Sequence, residues 1–236
     1  MILAPPLSAE WLCKVYSPKG EWLKEAKPHP LSYFIQDPVL RDDANDFCKS
    51  CTPEEKATIH LKMKARSEVR RLGLFGGFIA YDVLFYFQDS KSPDWKFVLL
   101  KTGPDEYRKI VQIQRTQHDQ YVGPSHIVTC GKEQFLVVRA HAGGNGGVYY
   151  GDYFWFGQDG PIVVDVDGPI MKASISAIPK GKVSYGTVGV DFETLTATVP
   201  LVNWNERWPG GAVEVRFRCD REQIIPSGAR YIDDEQ

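Results

Sequence analysis

Gly146-Gly147-Val148-Tyr149-Tyr150-Gly151-Asp152-Tyr153-Phe154-Trp155-Phe156-Gly157-Gln158-Asp159 is the stretch from which the rest of the chain is read. Glycines open it, a Gly-Gln-Asp turn closes it, and six aromatic side chains stand between. Aromatic residues suit a pleated surface. As a strand, the segment sends Tyr149, Gly151, Tyr153 and Trp155 to one face and Tyr150, Asp152, Phe154 and Phe156 to the other. One face belongs to a core. The other is either a second buried face between sheets or, if open, an aromatic platform on which a sugar or a protein partner stacks.

The same pattern occurs 70 residues earlier. Gly76 to Asp89 aligns without gaps to Gly146 to Asp159, with five of fourteen positions identical, and a fainter copy starts at Gly210-Gly211. Read as a duplication, this divides the chain into similar halves, about 57–118 and 119–236. Read plainly, it is two aromatic strands that each follow a glycine turn. Asp82 and Asp152 hold equivalent places in the two strands. A carboxylate inside an aromatic run needs a partner: turn amides, or a calcium ion held with nearby carbonyls.

Working outward, short strand-like segments recur at about 77–88, 95–101, 107–116, 125–130, 134–142, 147–157, 161–166, 182–190, 194–199, 212–219 and 222–225. Turn clusters such as Thr102-Gly103-Pro104-Asp105 and Cys130-Gly131-Lys132 separate them. The alternation of Ala57, Ile59, Leu61, Met63 and Ala65 with polar residues predicts a long strand over 57–71, after a helical turn opened by Thr52-Pro53-Glu54-Glu55. A short helix is expected near 8–15, and another between strands near 170–178. Six prolines in the first fifty residues make 1–52 an irregular arm. The expected fold is all-β, or β-rich α+β: an antiparallel meander forming a sandwich or barrel-like sheet over 53–236.

Composition agrees. Of 236 residues, valine plus isoleucine number 35 against 29 leucine plus alanine, and glycine plus proline number 37, so strands and turns are favoured over helices. The formal net charge of −2 supplies no electrostatic reason to expect nucleic acid, and no run is long and apolar enough for a membrane span. The Met1–Ala9 segment lacks the basic region of an intact signal peptide. The expected location is periplasmic or secreted, with the cytoplasm as the alternative.

Three constellations carry candidate chemistry. Ile162-Val163-Val164-Asp165-Val166-Asp167-Gly168-Pro169-Ile170 resembles the first motif of haloacid-dehalogenase-type phosphohydrolases. The resemblance implies Asp165 as nucleophile, Asp167 as acid/base and both as magnesium ligands, with Asp233-Asp234 as a later metal-binding pair. That family needs strands alternating with helices after the motif, whereas the 68 residues that follow Gly168 read mostly as strands. His126 or His141 would complete a hydrolase of this acidic type. Ser125, His141 and Asp152 have triad composition without a triad motif. Second, Cys48-Lys49-Ser50-Cys51 before a helix start has redox spacing. The five cysteines leave at least one thiol unpaired within the chain. Third, Asn145 in the glycine-rich tip and Tyr149, Tyr153 and Trp155 beside it form a candidate ligand surface. The leading expectation is a non-catalytic protein that binds a small molecule, a glycan or a protein partner. A hydrolase using the Asp/His groups is the alternative, and a thiol redox protein the second alternative.

Overall fold

The computed structural model describes residues 12–16, 27–35, 66–86, 95–115, 120–142, 148–158, 160–185, 188–204 and 209–233, together with Thr52 and Pro93. The chain is β-rich, in antiparallel sheets with a half-barrel curl, as the alternation and turn chemistry require.

The first sheet runs β1(Leu12–Tyr16), β5(Glu106–Arg115), β4(Trp95–Gly103), β3(Phe78–Tyr86), β2(Arg66–Phe75) in spatial order. In the second, β10(Gly160–Val164) pairs β9(Val148–Gly157), which pairs β8(Glu133–Ala142); β6(Gln120–Val122) and β7(His126–Cys130) share the far edge of β8. The third is built on β13(Thr196–Asn203), β14(Pro209–Asp220) and β15(Gln223–Ile232), with β11(Lys182–Ser184) and β12(Gly189–Asp191) on the outer edge of β13.

The middle sheet is covered on both faces. Leu136, Val138 and Phe154 share a core with Val98, Leu100 and Val111 of the first sheet. Their sequence neighbours Phe135, Val137 and Tyr153 share a core with Val199, Val213 and Val215 of the third. The two-residue period of the strand thus splits β8 and β9 between two cores. In the first sheet a bulge sets Val98 opposite Val111 and Leu99 opposite Lys109, so Ile110 and Val111 both enter the same core. β2 approaches β7 and β5 approaches β6, which draws the edges of the first two sheets together.

The remaining face of the first sheet is closed by α1(Leu31–Ile35), whose Phe34 packs with Val83, Phe85, Phe97 and Leu99. The described parts of the arm therefore belong to this sheet, and the helix expected near 8–15 is replaced, over Leu12–Tyr16, by a strand paired with β5. β-sheet edges offer unpaired backbone groups, and here the arm takes one.

The 57–71 strand begins at Arg66 and continues to Phe75; 53–65 lie outside the described residues. The helix expected at 170–178 begins earlier, as α2(Asp167–Ser174), and tightens into a 3-10 turn at Ile175–Ala177. Ile170 on α2 enters the core of the third sheet.

The Gly76-Gly77 hairpin has φ of +59° and +84°, the sign pair of a type I′ turn. A Cβ on Gly76 would lie 2.0 Å from Cγ of Phe156, whereas one on Gly77 meets nothing within 4 Å. Gly77→Ala should cost about 1 kcal/mol from left-handed strain alone, and Gly76→Ala about 2–3 kcal/mol because the Phe156 ring must also move. Urea unfolding of the two variants checks the difference.

Candidate functional site

Three polar or aromatic groupings are available for function. The first is buried between the first two sheets. Asp82 on β3 pairs with Val98, and Lys96 on β4 with Leu84, so the two side chains are diagonal neighbours on one face. Both are fully buried, and Ser125, in the connection from β6 to β7, is buried above them. The Lys96 Nζ donates to Ser125 Oγ at 2.9 Å and to the Gly123 carbonyl at 2.7 Å. The Ser125 backbone N–H donates to Asp82 Oδ2 at 2.7 Å. Burial pushes the Asp82 carboxyl up, while the Lys96 ammonium and the Ser125 hydrogen bonds pull it back. The Asp82 Oδ1 has no hydrogen-bond partner among the described residues.

This arrangement answers the question posed by a carboxylate in an aromatic strand. The sequence left Asp82 a choice of turn amides or calcium; in the structure a backbone amide, the Ser125 N–H, donates to it, and a lysine ammonium supplies the countercharge. Asp152 is partly buried on β9, opposite Val138. Among the described residues no group of three or more His, Cys, Asp or Glu side chains is arranged to hold a metal. Ser125 is tied into the ammonium–carboxylate cluster, which makes that cluster a clamp between sheets.

The second grouping is Asp165, Asp167 and Asp152. Val164 pairs with Tyr153, so the chain beyond β10 passes beside Asp152. Asp165 Oδ1 accepts the Gly168 N–H at 2.8 Å, which caps the start of α2. The Asp-x-Asp-Gly stretch is therefore a strand-to-helix turn on an edge strand of an antiparallel sheet. It lacks the parallel setting that the phosphohydrolase resemblance implies. The Asp167 carboxyl is pushed up to about 6, first by desolvation and then by the Asp165 and Asp152 charges. His126 is distant: it pairs with Val137, Val137 with Tyr153 and Tyr153 with Val164. Three strand spacings, about 14 Å, separate it from the end of β10. His141 and Tyr149 are paired across β8 and β9, and their side chains lie outside the described residues, as do Asn145, Cys48 and Cys51.

A raised acid has a stability consequence. Because the folded protein holds the Asp167 proton up to about pH 6 and the unfolded chain releases it near 3.8, stability falls as pH rises through that window. Asp167→Asn should leave stability unchanged below about pH 4 and raise it by about 1 kcal/mol at pH 7, the smaller figure allowing for the exposure of the side chain. Urea midpoints at the two pH values test this.

The third grouping is aromatic. Of the expected platform on β9, Tyr153 is covered: it packs at 5.7 Å from the Phe192 ring. Trp155 is half-buried, and its indole N–H donates to Glu133 Oε2 at 2.6 Å. Open aromatic surface lies elsewhere, on the outer face of the third sheet. Ala197, Val199 and Leu201 of β13 point into the core, so Thr198, Pro200, Val202 and then Trp204 point outward. The Tyr185 N–H donates to the Pro200 carbonyl and the Trp204 N–H to the Gly181 carbonyl, which seats both residues on the β11–β13 edge. Trp204 is 71% exposed and Tyr185 59%. From Pro200 to Trp204 the strand rises about 13 Å. The sequence offered no sign of this pair, because neither residue sits in an aromatic run or beside a recognisable motif.

The pairing of two cysteines was also silent in the sequence: Cys130, at the end of β7, and Cys219, on β14, form a disulfide that ties the middle sheet to the third. Comparison with protein-family models, with curated proteins and with solved structures finds no match.

Proposed function

We propose that this chain is a non-catalytic, ligand-binding protein of an extracytoplasmic compartment, and that its ligand is a carbohydrate seated on the outer face of the third sheet. The observation that carries the reading is the exposure of Trp204, with Tyr185, on one edge of that face. An indole left in water forgoes the stabilisation of burial, and a sugar ring stacked on it supplies apolar contact while its hydroxyls stay wet. Polar groups stand toward the Tyr185 end of the face: Thr198 on β13 and Glu214 and Arg230 beyond it, where they can hydrogen-bond the hydroxyls of a ligand that extends from Trp204. The Cys130–Cys219 disulfide supports the compartment, since such bonds persist where the surroundings are oxidising. No helix among the described residues is long and apolar enough to cross a membrane.

The test is titration of tryptophan fluorescence with neutral oligosaccharides. Binding that shifts the emission, and a loss of about tenfold or more in affinity for Trp204→Ala, is the expected outcome. A Trp204→Ala variant that binds as well as the parent chain removes the reading.

The hydrolase reading is favoured by one observation, the raised Asp167 carboxyl beside Asp165 and Asp152. A carboxylic acid that keeps its proton toward neutral pH is suited to general acid work. Esterase, lactonase and phosphatase substrates assayed between pH 5 and 7, with Asp167→Asn as the control, decide it: turnover that vanishes in the variant supports a hydrolase, and no turnover removes it.

A further inference from the structure

We propose that Lys96 and Asp82 join covalently, through an isopeptide bond between the lysine Nζ and the aspartate Cγ that crosslinks β4 to β3. The bond is a modification of the fold's interior and is independent of what the third sheet binds.

The register places the two reactants. Asp82 pairs with Val98 and Leu84 with Lys96, which makes the side chains diagonal neighbours on one face. Diagonal Cβ atoms on a sheet lie within about 7–8 Å. The lysine stem, a new amide and the aspartate Cγ, drawn out at ordinary bond lengths, span about 7 Å. The bond is therefore in reach with both strands in place. Ala80, Val98 and Leu100, on the same face, belong to the apolar core shared with Leu136 and Phe154. Lys96 and Asp82 themselves have no solvent exposure. Water competes with an amine for an acyl carbon, and it is also the product of their condensation. A dry face removes both obstacles.

The cluster also supplies the chemistry. A dry interior disfavours the charged forms of amine and carboxyl alike, and burial pushes the Asp82 carboxyl up. The neutral forms are the reactive ones, an amine with its lone pair and an acid with a hydroxyl to lose. The two oxygens of Asp82 are held differently. Oδ2 accepts the Ser125 N–H at 2.7 Å, a donor aimed where charge develops as the carbonyl is attacked. Oδ1 is buried with no hydrogen-bond partner among the described residues, and it is the oxygen that leaves. The Ser125 hydroxyl accepts from Lys96 Nζ at 2.9 Å and donates to Asp82, so it links the reactants as a proton path. In the step, the Nζ–Cγ bond forms and the Cγ–Oδ1 bond breaks. Two protons pass from nitrogen to Oδ1, and one water departs. Ammonium and carboxylate together supply every atom, so no oxidant or co-reactant is needed. The amide oxygen keeps the Ser125 N–H, and the amide N–H keeps the Gly123 carbonyl that Lys96 already meets at 2.7 Å. A neutral, satisfied amide then stands where two desolvated charges stood, which is the direction burial favours. Before bonding, the same contacts act as the ion-pair clamp.

The experiment is mass spectrometry of the full chain, purified folded and then reduced and denatured. The parent should weigh about 18 Da less than its sequence, the mass of one water. Trypsin cuts after Arg71, Lys91 and Lys101 but not at an acylated Lys96, so the digest should contain a branched peptide joining 72–91 to 92–101. Lys96→Arg and Asp82→Ala should each have full mass and no branched peptide. The parent reading needs no variant to fold, so it decides the matter by itself. A parent chain at full mass, with both linear peptides recovered, overturns the bond. So does a loss of water that persists in Lys96→Arg, or one that the digest traces to cyclisation at Asp167-Gly168.

Discussion

Lys96→Met should lower the free energy of unfolding by about 3–5 kcal/mol. Lys96 and Asp82 have no solvent exposure, and the ammonium donates at once to Ser125 and to the Gly123 carbonyl. Methionine keeps most of the volume and removes the charge. What remains is a buried carboxylate whose described donors, the N–H and hydroxyl, both belong to Ser125, with no ammonium beside it. The sign of the pH effect follows. Burial already raises the Asp82 carboxyl, and Lys96 is the largest influence pulling it back, so the variant raises it further. The folded variant then holds a proton that the unfolded chain releases near pH 4. Its stability should fall as pH rises from there toward the raised folded value, over a wider window than in the parent chain, where Lys96 holds the carboxyl lower. The double variant Asp82→Val, Lys96→Met should recover about 2 kcal/mol or more of the loss, because a neutral pair of suitable volume carries no desolvated charge. Guanidinium unfolding of parent, single and double variants across pH 4 to 8 makes the comparison. A single variant within about 1 kcal/mol of the parent would show that the cluster is hydrated and not a clamp.

Removing the Cys130–Cys219 disulfide is the second large effect. The two cysteines are 89 residues apart in sequence, so the bond closes a long loop in the unfolded chain. Loop entropy for that length amounts to about 4–5 kcal/mol, and the measured range for such bonds makes a loss of about 2–5 kcal/mol the expected result. Cys130→Ala with Cys219→Ala, which avoids stray thiols, should melt roughly 10 °C below the parent. Adding a reductant to the parent should produce a shift of the same size, and adding it to the double variant no shift at all. The bond joins β7 to β14, so the docking of the middle sheet on the third should loosen first. Hydrogen exchange at Phe135 and Val215, which face each other's core, would register it ahead of exchange at Val98 in the first sheet.

Several parts of this architecture were legible from local chemistry. The glycine pair at 76–77 requires positive φ and sits where a hairpin reverses. The alternation in β8 and β9 requires strands, and its apolar content on both faces is what a sheet covered twice needs. Duplication and plain coincidence were both open readings of the Gly76 and Gly146 stretches from residues alone. In the structure the even-numbered faces of β3 and β9 share one core, through Ala80 and Phe154.

The places where local reading stopped have a common cause. A short helix at 8–15 was a reasonable preference for an isolated peptide, but Leu12–Tyr16 meets the free edge of β5, and backbone pairing with a distant strand outweighs local propensity. The β9 aromatics were an attractive platform until Phe192, brought over by the third sheet, covered Tyr153. Trp204 and Tyr185 drew no notice, since exposure is a property of what fails to pack on a residue and leaves no mark in the residue's neighbours.

The residues alone therefore determined that this is a turn-rich chain of antiparallel strands, because period, glycine placement and β-branched content act over a few residues at a time. Only the tertiary structure decided which faces are wet, which lysine answers Asp82 and which cysteines meet. Those outcomes depend on segments tens of residues apart being brought within contact, and nothing in the local sequence records that distance.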